Sequence, residues 1–171
     1  HAAFALSEKY RLPVILRPLV RVSHARQNIS LGEIDATPRP ANFKKEPSRW
    51  AATPRYRLTL HHELNAKLAQ IEAEFETSEL NSQFAIRNSR SPLGLIAAGV
   101  PYTTALEILD EFGVNIPILK IATAYPLPRQ LVNDFMSRCE KVLVLEEPDA
   151  AIELQIPDRR NVLGRLDGTI P

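Results

Sequence analysis

The chain has 171 residues, 44% of them hydrophobic, which is enough for one ordinary domain or for a small domain with an attached fragment. Its formal net charge of +1 gives no electrostatic case for nucleic acid or an anionic membrane surface. A single cysteine, Cys139, excludes an internal disulfide and any zinc or iron–sulfur site built from this chain's own thiolates, which takes about four.

No apolar run approaches the roughly 18 residues of a spanning helix, and no secretory signal opens the sequence, so the expected location is the cytoplasm. Residues 1–10 already carry a helical pattern, with Phe4 and Leu6 in place and no capping residue ahead of them. The only methionine is Met136. A chain that begins inside a helical pattern reads as an excerpt of something longer.

In chain order, a strand is expected at 13–17. The run Val14-Ile15-Leu16 is apolar without alternation, which suits a strand covered on both faces. A loop through Arg21-Val-Ser-His24 should follow. A unit of some thirty residues cannot bury that apolar surface alone, since isolated units below about 40 residues need staples or partners. Residues 1–32 therefore read as the last α–β unit of a larger domain.

Between 33 and 57 the prolines Pro38, Pro40, Pro47 and Pro54 alternate with basic residues. Prolines at this density block helix and central strand, so an extended, semi-rigid connector is expected, with Phe43 and Trp50 anchoring it to a surface. A helix follows at 58–77, where Leu60, Leu64, Leu68, Ile71 and Phe75 form one apolar stripe. Glu63 and Lys67 stand four apart in the favourable order. His61 and His62 are adjacent and point about 100° apart on a helix, so they cannot chelate one ion together. They read as surface or packing histidines.

The segment 91–171 alternates strand and helix. Strands are expected at 93–98, 116–121 and 141–145, each an apolar run ending in turn residues or acids. Helices are expected between them, one with Pro101 in its first turn and Gly113 as its stop, the other opened by Pro128. Asp149 is the expected cap of a last helix carrying Ile152 and Ile156. The alternation predicts neighbouring parallel strands, because parallel pairing needs helix-length crossovers. There is no internal repeat.

Four strings together carry a family resemblance. They are Ala5-Leu-Ser-Glu-Lys-Tyr-Arg-Leu-Pro-Val-Ile-Leu-Arg-Pro18, Arg21-Val-Ser-His24, Tyr125-Pro-Leu-Pro128 and Val144-Leu-Glu-Glu147. In this order the chain resembles the large subunit of indolepyruvate:ferredoxin oxidoreductase, one of the thiamine-dependent 2-oxoacid:ferredoxin oxidoreductases. The resemblance implies an α/β fold: a three-layer parallel sheet similar to the transketolase C-terminal domain, preceded by a partial α/β unit and the Pro-rich connector. It divides the chain into the end of a pyrimidine-binding domain at 1–32, connector and amphipathic helix at 33–90, and the transketolase C-terminal-like domain at 91–171. It further implies oxidative decarboxylation of an arylpyruvate with thiamine diphosphate, Mg²⁺ and 4Fe-4S clusters, forming acyl-CoA and CO₂ with ferredoxin reduced. Partners implied are the remaining domains of the large subunit, a small subunit, ferredoxin and coenzyme A, in an oligomer without nucleic acid or membrane. The acidic residue that activates thiamine, the diphosphate-binding domain and the cysteine-rich modules have no counterpart in this sequence. No cofactor is thus expected to bind this segment alone, and its expected part is scaffold and domain interface.

Two groups of candidate residues remain, none of them assigned a catalytic role. Arg21, Ser23 and His24 would follow the strand at 13–17 and lie at a carboxyl edge, where α/β proteins place ligands. Arg21 could clamp a carboxylate of a 2-oxoacid or of a neighbouring subunit, or hold the domain–connector junction, and the junction is preferred. Ser23 and His24 are adjacent, so no serine–histidine catalysis follows from their spacing. Gly99, Tyr125, Glu146 and Glu147 fall at the carboxyl ends of three expected strands and should share one edge. That edge reads as a docking surface for other domains or an acidic–basic interface, or as a set of acids capping helix N-termini, and the two readings are compatible. No Gly-rich phosphate loop is present, Gly164 and Gly168 being isolated, and Cys139 reads as packing. The alternative to an oxidoreductase segment is a non-catalytic α/β protein-interaction module.

Overall fold

A computed structural model describes residues 1–33, 41–51, 53–84 and 90–171, with residues 82–84 described in backbone only. The elements in order are α1 (Ala2–Tyr10), α2 (Val20–His24), α3 (Pro54–Phe75), β1 (Ser82–Phe84), β2 (Ser91–Ala97), α4 (Val100–Glu111), β3 (Ile118–Lys120), α5 (Arg129–Ser137), β4 (Cys139–Leu145), a 3₁₀ turn at Glu153–Gln155 and β5 (Val162–Leu163).

The sheet has the order β1-β3-β2-β4-β5. The three strands expected from the sequence are parallel neighbours: β2 pairs with β3 (Ile96 opposite Leu119) and with β4 (Ile96 opposite Val144). Two edge strands are additions. β5 joins β4 in parallel, and β1 pairs antiparallel with β3, so a parallel four-stranded core carries one reversed edge.

Alternation along β2 sends its side chains to two faces. Ile96 packs with Leu119, Val142 and Val144 under Val132 and Phe135 of α5, with Ile152 and Ile156 closing the layer. Leu95 and Ala97 point the other way, onto Tyr102 and Ala105 of α4. Helices therefore cover both faces, as the three-layer expectation requires. The second face is more thinly covered. Leu143 and Leu145 are only half-buried there.

Local chemistry sets the helix ends. Gly99 precedes α4 with φ +65, a conformation that costs a side-chain-bearing residue, and a Cβ would meet nothing within 4 Å. Gly113, φ +61, ends α4 as expected. Its N–H donates to the Asp110 carbonyl (3.1 Å) while that of Val114 reaches Leu109 (2.9 Å), the paired bonds of a Schellman stop.

Several expectations are corrected in the first half. Residues 13–17 form no strand: Val14, Ile15 and Leu16 are exposed, Ile15 by 87%. A strand exists only by pairing, and among the described residues nothing lies alongside to pair with it. The loop expected at 21–24 is the short helix α2. Trp50 and Phe43 do not anchor the connector, being 60% and 81% exposed. A turn at 46–50 holds Trp50 instead, with the Arg49 guanidinium 5.2 Å from its ring. Pro38 and Pro40 lie outside the described residues. The stripe on α3 is fully covered only at its end, where Phe75 is buried; Leu60, Leu68 and Ile71 are half-buried and Leu64 is exposed. Finally, the last predicted helix is reduced to the 3₁₀ turn, and Asp149 does not cap it. Glu146 does so, as described below.

Candidate functional site at the carboxyl edge

Parallel pairing brings the carboxyl ends of β3, β2 and β4 to one edge. Beyond the strands proper, the Ile121 N–H donates to the Ala97 carbonyl (2.9 Å) and that of Ala98 to Leu145 (3.0 Å). Gly99, Tyr125, Glu146 and Glu147 are the residues that emerge there, from three strands distant in sequence. The two acids differ. Glu147 is exposed, whereas Glu146 is 8% exposed. Its Oε2 accepts from the Ile152 N–H (2.7 Å) and its Oε1 from that of Glu153 (2.9 Å). Both oxygens are thus committed to the orphan donors at the start of the 3₁₀ turn. Of the two readings of the acids, helix-end capping holds for Glu146.

A second carboxylate, missed from the sequence, continues the pattern. Glu153 is 2% exposed and accepts from the N–H groups of Arg165 (2.9 Å) and Leu166 (3.2 Å). Gly164 makes room for it, since a Cβ there would lie 2.5 Å from Glu153 Oε2. Arg165 returns a bond to the Pro148 carbonyl. The stretch after β4 is therefore held by buried carboxylates gripping backbone, which compensates their desolvation.

Tyr125 is 69% exposed, on a loop whose neighbours are not: Thr123, Pro126, Leu127 and Pro128 are buried. Two side-chain amides, also missed, fix that loop. Asn81 accepts from the Ala122 (2.9 Å) and Thr123 (3.3 Å) N–H groups and donates to Thr123 Oγ1 (2.8 Å) and the Phe75 carbonyl (3.1 Å). Gln155 donates to the Ala124 and Ala151 carbonyls (both 2.7 Å) and accepts from the Leu127 N–H (3.2 Å). Glu76 adds bonds from the Gln130 (3.0 Å) and Leu131 (2.7 Å) N–H groups at the start of α5. Glu76 after α3 is no ordinary sequence signal, because it caps a helix fifty residues away.

Arg21, Ser23 and His24 are exposed on α2. With no strand at 13–17, they sit at no strand end, which corrects their expected placement. The segment reaches the sheet through an exposed ion pair between Arg17 and Asp149, 3.5 Å. Elsewhere the first half is linked by charge. Glu74 pairs with Lys9 (2.6 Å) and accepts from the Tyr10 hydroxyl, and these bonds, that of Lys9 foremost, hold its carboxyl below the ordinary value. Arg49, and after it Lys67, lower that of Glu63 in the same way.

The donor set does not fit the group of cofactors that the resemblance implies. Cys139 is buried beside Gly94 and burial pushes its thiol up, against a smaller opposing effect of Arg90. Both oxygens of Glu146 are occupied by backbone. Among the described residues no three His, Cys, Asp or Glu side chains are grouped to hold a metal. No chemical step is therefore assigned to thiamine diphosphate, Mg²⁺ or a cluster within this segment.

No protein-family model matches the chain. It is 38% identical to the indolepyruvate oxidoreductase subunit IorA of Methanothermobacter marburgensis over 99% of its own length, and 34% identical to that of Archaeoglobus fulgidus over 98%. It spans 28% and 27% of those relatives. In fold it is similar to a solved 2-oxoglutarate:ferredoxin oxidoreductase from Magnetococcus marinus, with a TM-score of 0.50 over 67% of this chain and 21% of that one, at 15% identity. Over nearly all its residues, then, the chain is homologous to one stretch of the indolepyruvate oxidoreductase IorA subunits, the family that its sequence strings resemble.

Proposed function

We propose that this chain is part of the large subunit of a 2-oxoacid:ferredoxin oxidoreductase acting on an arylpyruvate such as indolepyruvate, and that it serves there as scaffold and domain interface. The observation that carries the reading is end-to-end identity of 38% with an IorA subunit of which the chain spans 28%. The geometry is consistent with a supporting part, because the buried acids Glu146 and Glu153 after β4 hold backbone. In this reading residues 1–32 end a pyrimidine-binding domain, 33–90 connect, and 91–171 form the transketolase C-terminal-like domain. Thiamine diphosphate, Mg²⁺ and 4Fe-4S clusters are held by other parts of the enzyme. The remaining large-subunit domains, a small subunit, ferredoxin and coenzyme A are the partners, in a cytoplasmic oligomer. The exposed apolar run Val14-Ile15-Leu16 and the edge around Gly99, Tyr125 and Glu147 are the surfaces those domains cover.

The test is an assay of the complete subunit with its partner subunit for indolepyruvate-dependent ferredoxin reduction requiring coenzyme A. No reduction with any arylpyruvate would sink the reading. Arg21→Ala in that enzyme separates its two roles: a raised KM with kcat preserved marks substrate contact, and lost stability with normal KM marks the junction. Calorimetry of the 171-residue chain with thiamine diphosphate and Mg²⁺ should give no saturable binding at micromolar concentration.

A further inference from the structure

The loop at 122–127 is built in an unusual way for a connection between β3 and α5. Past Ile121 its backbone leaves the ladder, and buried backbone groups then need other partners. Two side-chain amides supply them, from segments distant in sequence. Asn81 grips Ala122 and Thr123 ahead of Tyr125, and Gln155 grips Ala124 and Leu127 around it. Thr123 (8% exposed) and Leu127 (1%) are buried, so the one large side chain the loop turns outward is Tyr125. An aromatic with an apolar ring and a polar tip, carried on a backbone fixed before contact, loses less entropy when it is covered than one on a mobile loop, and suits the centre of an interface.

We infer that Asn81 and Gln155 are positioning residues whose joint grip presents Tyr125 as a preset contact for another domain of the large subunit. The inference rests on the reading of this edge as a domain interface. It adds which side chain makes the contact and which two residues aim it. Asn81 also holds the Phe75 carbonyl (3.1 Å), so the end of α3 is tied to the same loop. A shift of that helix would move Tyr125 with it.

The experiment uses the complete subunit in its assembled enzyme, with Tyr125 replaced by photoreactive azidophenylalanine. Irradiation should give one dominant cross-link, to a large-subunit domain other than the sheet described above. Introducing Gln155→Ala or Asn81→Ala should cut that yield at least several-fold and speed hydrogen exchange at the Leu127 or Thr123 amide, while amides of β2 and β4 stay protected. Gln155→Met keeps most of the side-chain bulk and loses all three bonds without setting a carboxylate against the two carbonyls, so it stands in if the alanine variant does not assemble, and a several-fold drop is expected there too. An undiminished cross-link beside a deprotected Leu127 amide would overturn the positioning role while leaving the interface reading intact. Absence of any inter-domain cross-link in the otherwise unaltered enzyme would overturn both.

Discussion

The two halves of the molecule use similar apolar strings to opposite ends. From Leu95 onward most apolar residues of the strands pack into two cores, one on each face of the sheet, while Leu106 and Ile108 of α4 stay exposed. Ahead of it Phe75 alone is a buried hydrophobic among the described residues, and α1 and α2 bury none. Val14-Ile15-Leu16 and Val142-Leu143-Val144 are nearly interchangeable as sequence. One is solvated and the other is ladder-paired, because β4 has β2 and β5 alongside and residues 13–17 have no such neighbour among the described residues. The lesson is that an apolar run specifies a demand for burial, and only a partner converts it to a strand.

The widest contrast to test is Ile96 against Ile15. Ile96→Ala, at a fully buried site, should cost about 2–5 kcal/mol in denaturant melts of the chain, whereas Ile15→Ala should lie within about 0.5 kcal/mol. Repeated in the assembled enzyme, the second value should grow if another domain covers that run. An Ile15→Ala cost comparable to that of Ile96→Ala in the chain alone would break the comparison.

Next in size is Gly94→Ala. A Cβ there would lie 2.4 Å from Cys139 Sγ and 3.1 Å from the Phe135 ring, so overpacking should cost about 1–3 kcal/mol. Cys139→Ala in the same chain should restore much of it. Strict additivity of the two changes in melts would refute the proposed clash.

Glu76→Ala probes the seam between the halves. Loss of the bonds to the Gln130 and Leu131 N–H groups should cost about 0.5–2 kcal/mol, as for other helix caps. It should also make the end of α3 more open to protease. Wild-type resistance together with an unchanged melting temperature would say that the seam is held without it, by Phe75, Asn81 and the Glu72–Arg129 ion pair (3.5 Å).

The smallest effect is expected from acid. Glu63 and Glu74 have carboxyls lowered from about 4.5 by their cationic and hydroxyl partners, so their contribution is complete above that value and is lost as pH falls through the lowered folded values. Below about pH 4.5 the contacts of Arg49 and Lys9 with α3 should therefore weaken, without loss of the sheet. Because these groups are only half-buried, salt should produce part of the same change at neutral pH. Trp50 emission and far-ultraviolet dichroism followed together would show it. Simultaneous loss of both signals would contradict a separable first half.

The second half was legible because its signals are local and mutually consistent. Gly99 and Gly113 mark the bounds of α4, Pro128 precedes α5, and the apolar runs between them have strand length. The members of the carboxyl edge followed from parallel order alone. What escaped were the residues that hold it. Asn81, Gln155, Glu76 and Glu153 read as ordinary polar positions, since their partners stand 41, 31, 54 and 12 positions away in sequence. Asp149 looked like the cap because a nearby acid before a short apolar pattern is the usual signal. Glu146, three residues earlier, reaches the donors instead.

By itself the sequence determined the parallel α/β character of 91–171, the helices α1 and α3, and kinship with a family through strings spread along nearly the whole chain. Those properties depend on periodicity, turn chemistry and residue identity, all of which are present in one dimension. The tertiary structure decided the reversed edge strand β1, the exposure of residues 13–17 and Trp50, and the buried role of Glu146. Each of these turns on which distant group supplies a hydrogen-bond partner or a covering surface, and burial or pairing is a property of two segments that neither carries alone.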